Sequence, residues 1–271
     1  MRSGKEISLD KRLTEVVDEF GFSGNAAAAL RLLLKDEEVQ AAQEYANTVS
    51  IIRLGYNDHG PVHMRTVVLN ALIMLRLLHL ADVKTSLEKD ECGSFEDSLI
   101  AVICAAMLHD LGMGVGRNDH EMFSVLLASP ILDRVLTEIY NDNLNKRTMV
   151  RALTIEGIAG HMGTRPIHSL EAGVVQVADG CDMTKGRARI PIALGHSPRA
   201  SHIHQYSANS IEGVIIGAGK EKPICIDVHM SSEVGFFQVE EVLLKKIADS
   251  TAKQYIELQA RVGEETLKQY L

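Results

Sequence analysis

Residues 98–111 read Ser-Leu-Ile-Ala-Val-Ile-Cys-Ala-Ala-Met-Leu-His-Asp-Leu, a run of helix length that is apolar on every side until it closes on His109-Asp110. A helix without a polar face cannot lie at a surface, so other elements must surround it. The chain is thereby committed to an interior built of helices around this one. Two metal-competent polar side chains have to be satisfied at its end.

The flanking sequence supplies those helices. An amphipathic segment near 8–20 stops at Gly-Phe-Ser-Gly-Asn, and a second runs from Asn25 to about Gly55 with a break at Lys35-Asp36. Pro61 suits a first helical turn, and Val62, Val67, Leu69, Leu72, Ile73, Leu75, Leu77 and Leu78 give the following helix a broad apolar surface. Further helices are expected near 94–111, 119–140 with an interruption at Pro130, 144–160 and 168–183. After Asp182 the texture changes to a long aperiodic stretch of Gly, Pro, Ser, Arg and His, the mark of a functional loop or a linker. Beyond it, Ile-Glu-Gly-Val-Ile-Ile and Ile-Cys-Ile-Asp-Val-His form a hairpin turning at Gly-Ala-Gly-Lys-Glu, Phe236–Ser250 has helical spacing, and Tyr255–Val262 alternates as a half-exposed strand. The expected fold is mostly α: a helical bundle over 1–190, a linker over 191–207 that folds across the site, and a small ββαβ unit of α+β type over 208–271. Three strands leave open edges, so a homodimer through 208–271 is expected.

Composition narrows the partners. Trp is absent, aromatic residues make up 4% and the formal net charge is -8. Such a chain offers neither stacked aromatics for reading bases nor a global positive field, which argues against extended nucleic acid. Any phosphorylated ligand must be recruited locally. The cysteines at 92, 104, 181 and 225 show no paired C-x-x-C spacing. Reduced thiols in a cytoplasmic protein are expected, and the N-terminal residues carry no apolar signal core. No run of about 18 uncharged apolar residues calls for a membrane partner.

The chemistry-bearing residues are spaced along this framework. His63 follows Pro61, His109-Asp110 closes the apolar helix, His120 comes just after a glycine loop, His161 ends another helix and Asp179 lies near the end of the next. Imidazole and carboxylate suit one or two divalent ions of Mn, Fe, Co, Ni or Zn, with Mg also possible. Neighbouring residues on a helix point about 100° apart, so His109 and Asp110 can serve one ion only at a frayed end, or two ions with the carboxylate as bridge. Any one histidine alone is better read as a hydrogen-bonded core residue. The set together defeats that reading, since each unpaired burial costs about 1–3 kcal/mol.

At these residues the chain resembles the HD superfamily of metal-dependent phosphohydrolases. The matching contexts are His-Met-Arg-Thr-Val-Val-Leu-Asn-Ala at His63, Ala-Ala-Met-Leu-His-Asp-Leu-Gly at His109-Asp110 and Val-Val-Gln-Val-Ala-Asp-Gly-Cys-Asp at Asp179, over roughly 55–187. The resemblance implies an HD-type helical bundle in which His63, His109, Asp110 and Asp179 bind one ion, with His120 and His161 serving a second. Branches that degrade cyclic dinucleotides carry a Gly-Tyr-Pro signature where this chain has His-Met-Gly-Thr-Arg-Pro, which argues against cyclic di-GMP.

Other polar residues read more modestly. His59 is a cap or loop residue, Asp182 faces either the site or solvent, His79 is structural, and Cys104 and Met107 belong to the core. Lys185 and Arg187 follow the metal aspartate closely and are expected to serve catalysis by neutralising phosphoryl oxygens, while Asp110 is expected to serve it by holding the ions. Arg117 and Arg165 in neighbouring loops are lesser candidates, and His202 and His204 belong to the loop that folds over the pocket.

The resemblance implies a phosphomonoesterase or phosphodiesterase that turns a metal-activated water on a small nucleotide-like phosphoester. Two alternatives stay open: a di-iron oxygenase-like enzyme, and a non-catalytic regulatory protein that binds metal and nucleotide.

Overall fold

The computed structural model describes residues 2–22, 24–184, 207–263 and 266–271. Lys185, Arg187, His202, His204 and all of the expected linker except Ser207 lie outside them. The described chain is mostly helical, with a small mixed sheet at its C-terminal end.

The apolar run forms α6 (Phe95–Leu108), opened by a capping box between Ser94 and Asp97. Every residue of α6 except Glu96 is buried. Around it stand α2 (Asn25–Lys35), α4 (Pro61–Leu80), α8 (Leu144–Gly160) and α9 (Leu170–Cys181), which all pack on it. α4 and Phe95–Gly114 are long and apolar enough to cross a membrane by composition, but 94% of the latter's most apolar window is buried in the protein. Their hydrophobicity serves the core.

The remaining helices follow local rules. α1 (Gly4–Asp18) starts at a Ser3/Glu6 capping box. The break expected at Lys35-Asp36 is a cap: Asp36 ends α2 and accepts from the amides of Glu38 and Val39 at the start of α3 (Glu37–Thr48), which runs on through a π-turn at Val49–Arg53. After a short α5 (Ser86–Lys89), α7 spans His120–Tyr140 without the interruption expected at Pro130. Pro130 is exposed, and the carbonyl it leaves unbonded belongs to Leu126, which is also exposed, so water can take the place of the missing donor.

The C-terminal segment departs from ββαβ by one strand. β1 (Ile211–Ala218) and β2 (Ile224–Met230) pair antiparallel, β3 (Ile256–Val262) lies parallel to β2, and β4 (Thr266–Gln269) pairs antiparallel with β3. The fourth strand covers an edge of β3 that a three-stranded unit would leave open. A four-residue strand shows too few alternations to be recognised from its pattern. The parallel step from β2 to β3 requires a crossover, made by α10 (Gly235–Gln238), a π-turn at Val239–Leu243 and α11 (Leu244–Ala248).

The buried side of the sheet carries Ile224, Ile226, Val228 and Met230 from β2 and Ile256, Leu258 and Ala260 from β3. They join the helical interior in one continuous apolar core. β1 and β2 rest on α4, while α11 rests on α9. Gly173 of α9 is a tight seat for the turn that follows α11. The Ser250 hydroxyl donates to its carbonyl at 3.0 Å and the Thr251 hydroxyl to that of Ser169 at 2.6 Å. A methyl at 173 would strike both hydroxyls and the Ala252 amide. Gly173→Ala should therefore lower stability by about 1–3 kcal/mol in urea unfolding, the usual cost of overpacking. An unchanged midpoint would show that α9 and the 250–252 turn are not locked together.

Candidate metal centre

The chain places polar residues at helix ends and lets the ends meet. α4 begins at Pro61, which leaves His63 in its first turn. α6 stops at Leu108, so His109 caps it and Asp110 lies in the turn beyond, where the two side chains escape the 100° separation of a regular helix. Gly112 makes that turn possible, because a Cβ there would collide with the His120 carbonyl and the Ser124 amide of α7. His120 opens α7, His161 caps α8, and Asp179 sits two residues before the end of α9.

These six side chains converge. His63 Nε2 lies 3.2 Å from His109 Nε2, 3.2 Å from Asp110 Oδ2 and 3.2 Å from Asp179 Oδ1. His109 Nε2 is 3.3 Å from Asp110 Oδ2 and 3.7 Å from Asp179 Oδ1. On the other side of the same aspartate, Asp110 Oδ1 is 3.2 Å from His120 Nε2 and 3.5 Å from His161 Nε2, which are themselves 3.2 Å apart. Except for the slightly open Asp179, all are buried.

The outer ring nitrogens settle which atoms face inward. His109 Nδ1 donates to the Ala106 carbonyl at 2.9 Å, His120 Nδ1 to the Arg117 carbonyl at 2.9 Å and His161 Nδ1 to the Ile158 carbonyl at 2.7 Å. A carbonyl only accepts, so each proton sits on Nδ1 and each neutral ring turns an Nε2 lone pair toward the centre. His63 Nδ1 meets Asp182 Oδ2 at 2.7 Å, with the same result. Lone pairs at 3.2 Å from one another, beside carboxylate oxygens, repel unless a cation stands between them. The donor set fits a divalent metal ion, and three overlapping groups, His63-His109-Asp110, His109-His161-Asp179 and Asp110-His120-His161, could each hold one.

Without an ion the site redistributes protons. Burial opposes charge on His109, but the carboxylates of Asp110 and Asp179 outweigh it and push this imidazole up to about 9. Burial, reinforced by the charge on His109, holds His161 down at about 4. Asp110 and Asp179 lie well below the usual carboxylate range: burial would raise them, but the charge of His109 overrides it for Asp110 and that of Lys246 for Asp179. A proton on His109 offsets part of the carboxylate charge, and a bound cation could do the same.

The structure also sorts the lesser residues. Asp182 turns inward to hold His63, whereas His79 is exposed beside the Phe95 ring at 4.5 Å and far from the cluster. His59 precedes α4 as a loop residue, with its Nδ1 2.9 Å from the Ser50 hydroxyl. A cavity of about 520 Å³ opens beside the cluster and includes Tyr56, His59, Asp110, Arg117 and Asp179 in its walls. A second cleft, of about 590 Å³, lies on the His120 side between Arg117, Thr164 and Arg165. Arg117 borders both, stands over the Tyr56 ring at 5.9 Å, and meets no carboxylate among the described residues.

One participant has no counterpart among the residues singled out from the sequence. Lys246 of α11 is buried, pairs with Asp179 Oδ2 and donates to the His161 carbonyl at 3.0 Å. The available signal was its place seven residues after Val239 and three after Leu243, on the apolar side of its helix. A lysine on a buried face needs a partner, and the partner is remote in sequence.

The carboxylate behind a ligating imidazole fixes its orientation and basicity. Asp182→Ala should weaken metal affinity by about 10–100-fold, read by titration against a competing chelator, while leaving the fold intact by circular dichroism. Unchanged affinity would reduce Asp182 to a structural partner of His63.

Over 233 residues the chain is 42% identical to the uncharacterized protein MJ1020 of Methanocaldococcus jannaschii, an alignment covering 86% of this chain and 88% of that one. Over 147 residues it is 26% identical to Ribonuclease Y of Clostridium tetani, covering 53% of this chain and 25% of that protein, so it spans about a quarter of that relative's length. No family model and no solved structure matches. With its identity to MJ1020 spread over most of both chains, the protein belongs to the same family as the Methanocaldococcus jannaschii protein.

Proposed function

We propose that the protein is a metal-dependent phosphohydrolase of the HD type, acting on a small phosphoester of nucleotide size. The division of Asp110 carries this reading: Oδ2 faces His63 and His109, Oδ1 faces His120 and His161, so one carboxylate addresses two sets of imidazoles. Such a division would let Asp110 hold two ions, one with each set, and Asp179 Oδ1 would complete the first set. The similarity to a ribonuclease adds a hydrolase of phosphodiesters among the relatives.

Bound divalent ions would supply Lewis-acid polarisation of a phosphoryl oxygen and a water of lowered pKa. The protein's own contribution is to hold the ligands rigidly on buried helix ends and to leave a cavity of about 520 Å³ open on one side, a size that suits a small molecule. Arg117, without a carboxylate partner among the described residues, offers a fixed positive charge where phosphate oxygens would lie. Arg165 borders the second cleft, 3.8 Å from Asp119, and would add positive charge on the His120 side. Lys185 and Arg187 keep their proposed place as further phosphate contacts.

The test uses the full chain, stripped with a chelator and reloaded separately with Mn, Co, Ni, Zn and Mg. Phosphomonoesters and phosphodiesters should be hydrolysed by at least one metal form, with activity lost on chelation and restored on reloading. Asp110→Ala should lose metal and turnover together, because it removes the one side chain shared by both sets of imidazoles. A fully metallated protein that cleaves no phosphoester would refute the proposal and leave iron and oxygen chemistry or ligand sensing as the readings to pursue.

A further inference from the structure

Among the described residues, Lys246 has more donors than it has acceptors to meet. Its ammonium carries three N–H groups, and it meets two acceptors among the described residues, Asp179 Oδ2 and the His161 carbonyl. Its stem is packed against Gly180, its side chain is 10% exposed, and what remains open faces the cavity beside the metal centre. Asp179 turns its other oxygen to His63 Nε2 at 3.2 Å, so a single carboxylate separates the ammonium from the ligand cluster. A cation that only neutralised Asp179 would not need to reach the cavity wall.

We infer that Lys246 is a substrate-binding residue whose third N–H donates to a non-bridging phosphoryl oxygen, so that the C-terminal αβ segment completes the site built by the helices. This rests on the phosphoester reading above and adds a contact to it. Two acceptors fix the ammonium in place before substrate arrives, so little side-chain freedom is lost on binding. The charge-assisted bond it then makes is of the strong kind. The position is set by the seat of α11 on α9. Lys246 thereby makes phosphate affinity depend on a segment that contributes no ligand to the cluster.

The probe is inorganic phosphate binding to the metal-loaded full chain, measured by calorimetry beside the metal content of each variant. Lys246→Met keeps the aliphatic stem and should retain metal while binding phosphate about 10- to 100-fold more weakly, the size of one charge-assisted hydrogen bond. Lys246→Arg keeps the charge and should recover part of the loss. A readout on the unmodified protein guards against misfolding of the variants: the Lys246 ammonium resonance, assigned by its absence in Lys246→Arg, should shift when phosphate is added. If wild-type protein binds phosphate and cleaves phosphoesters while Lys246→Met binds equally well, or if the resonance stays still, the role of Lys246 is overturned and the phosphoester reading stands. If the wild-type protein neither binds phosphate nor cleaves phosphoesters, the phosphoester reading falls and takes this inference with it.

Discussion

Four imidazole lone pairs and the oxygens of two carboxylates aim into one small volume from which water is largely excluded. Acceptors this close repel, and burial removes the screening that would soften the repulsion. Much of the surrounding architecture resists that force. The carbonyls of Ala106, Arg117 and Ile158 hold three rings by their outer nitrogens, and Asp182 holds the fourth. The carbonyls belong to the last turns of α6 and α8 and to the loop before α7, so each ring is fixed by the backbone of its own segment. A protonated His109 can relieve part of the repulsion, and a divalent ion would relieve it more completely.

The same economy governs the join between the helical body and the sheet. Gly173 permits the 250–252 turn to lie against α9, and on the same helix Asp179 receives Lys246 from α11. One contact is made of backbone and hydroxyls, the other of opposite charges in a buried place. An ion pair of this kind adds little to stability beyond an apolar substitute, and its value lies in specifying position. Here it sets the depth at which α11 meets the ligand cluster.

Arg65 shows how buried charge is used a second time. It is 1% exposed and spans three helices, donating to Asp10 of α1 at 2.7 Å, to Gln43 of α3 at 3.1 Å and to the Pro61 carbonyl of its own helix at 3.1 Å. That clamp lies in the turn that carries His63, so the N-terminal helices brace the backbone that positions a candidate ligand. Nothing in the local pattern around Arg65 marks it as buried. It interrupts an apolar helix as a surface arginine would.

Most of the helices were legible in the chain because the signals are local: an apolar period, a break at Lys35-Asp36, a proline at a first turn. The residues of the cluster were legible as candidates too, since imidazoles and carboxylates at the ends of aliphatic helices each need a partner, which bound cations could supply. β4 was not, because four residues cannot display a period, and neither was the continuity of α7 through Pro130, because an exposed carbonyl can tolerate a lost donor. By itself the sequence determined that a buried helix must end in polar residues and that helices must surround it. Only the tertiary structure decided that Asp182 turns inward, that Asp110 divides its oxygens between two pairs of histidines, and that a lysine from the far end of the chain reaches Asp179. Those choices depend on distances between segments remote in sequence, and a local pattern carries no record of such distances.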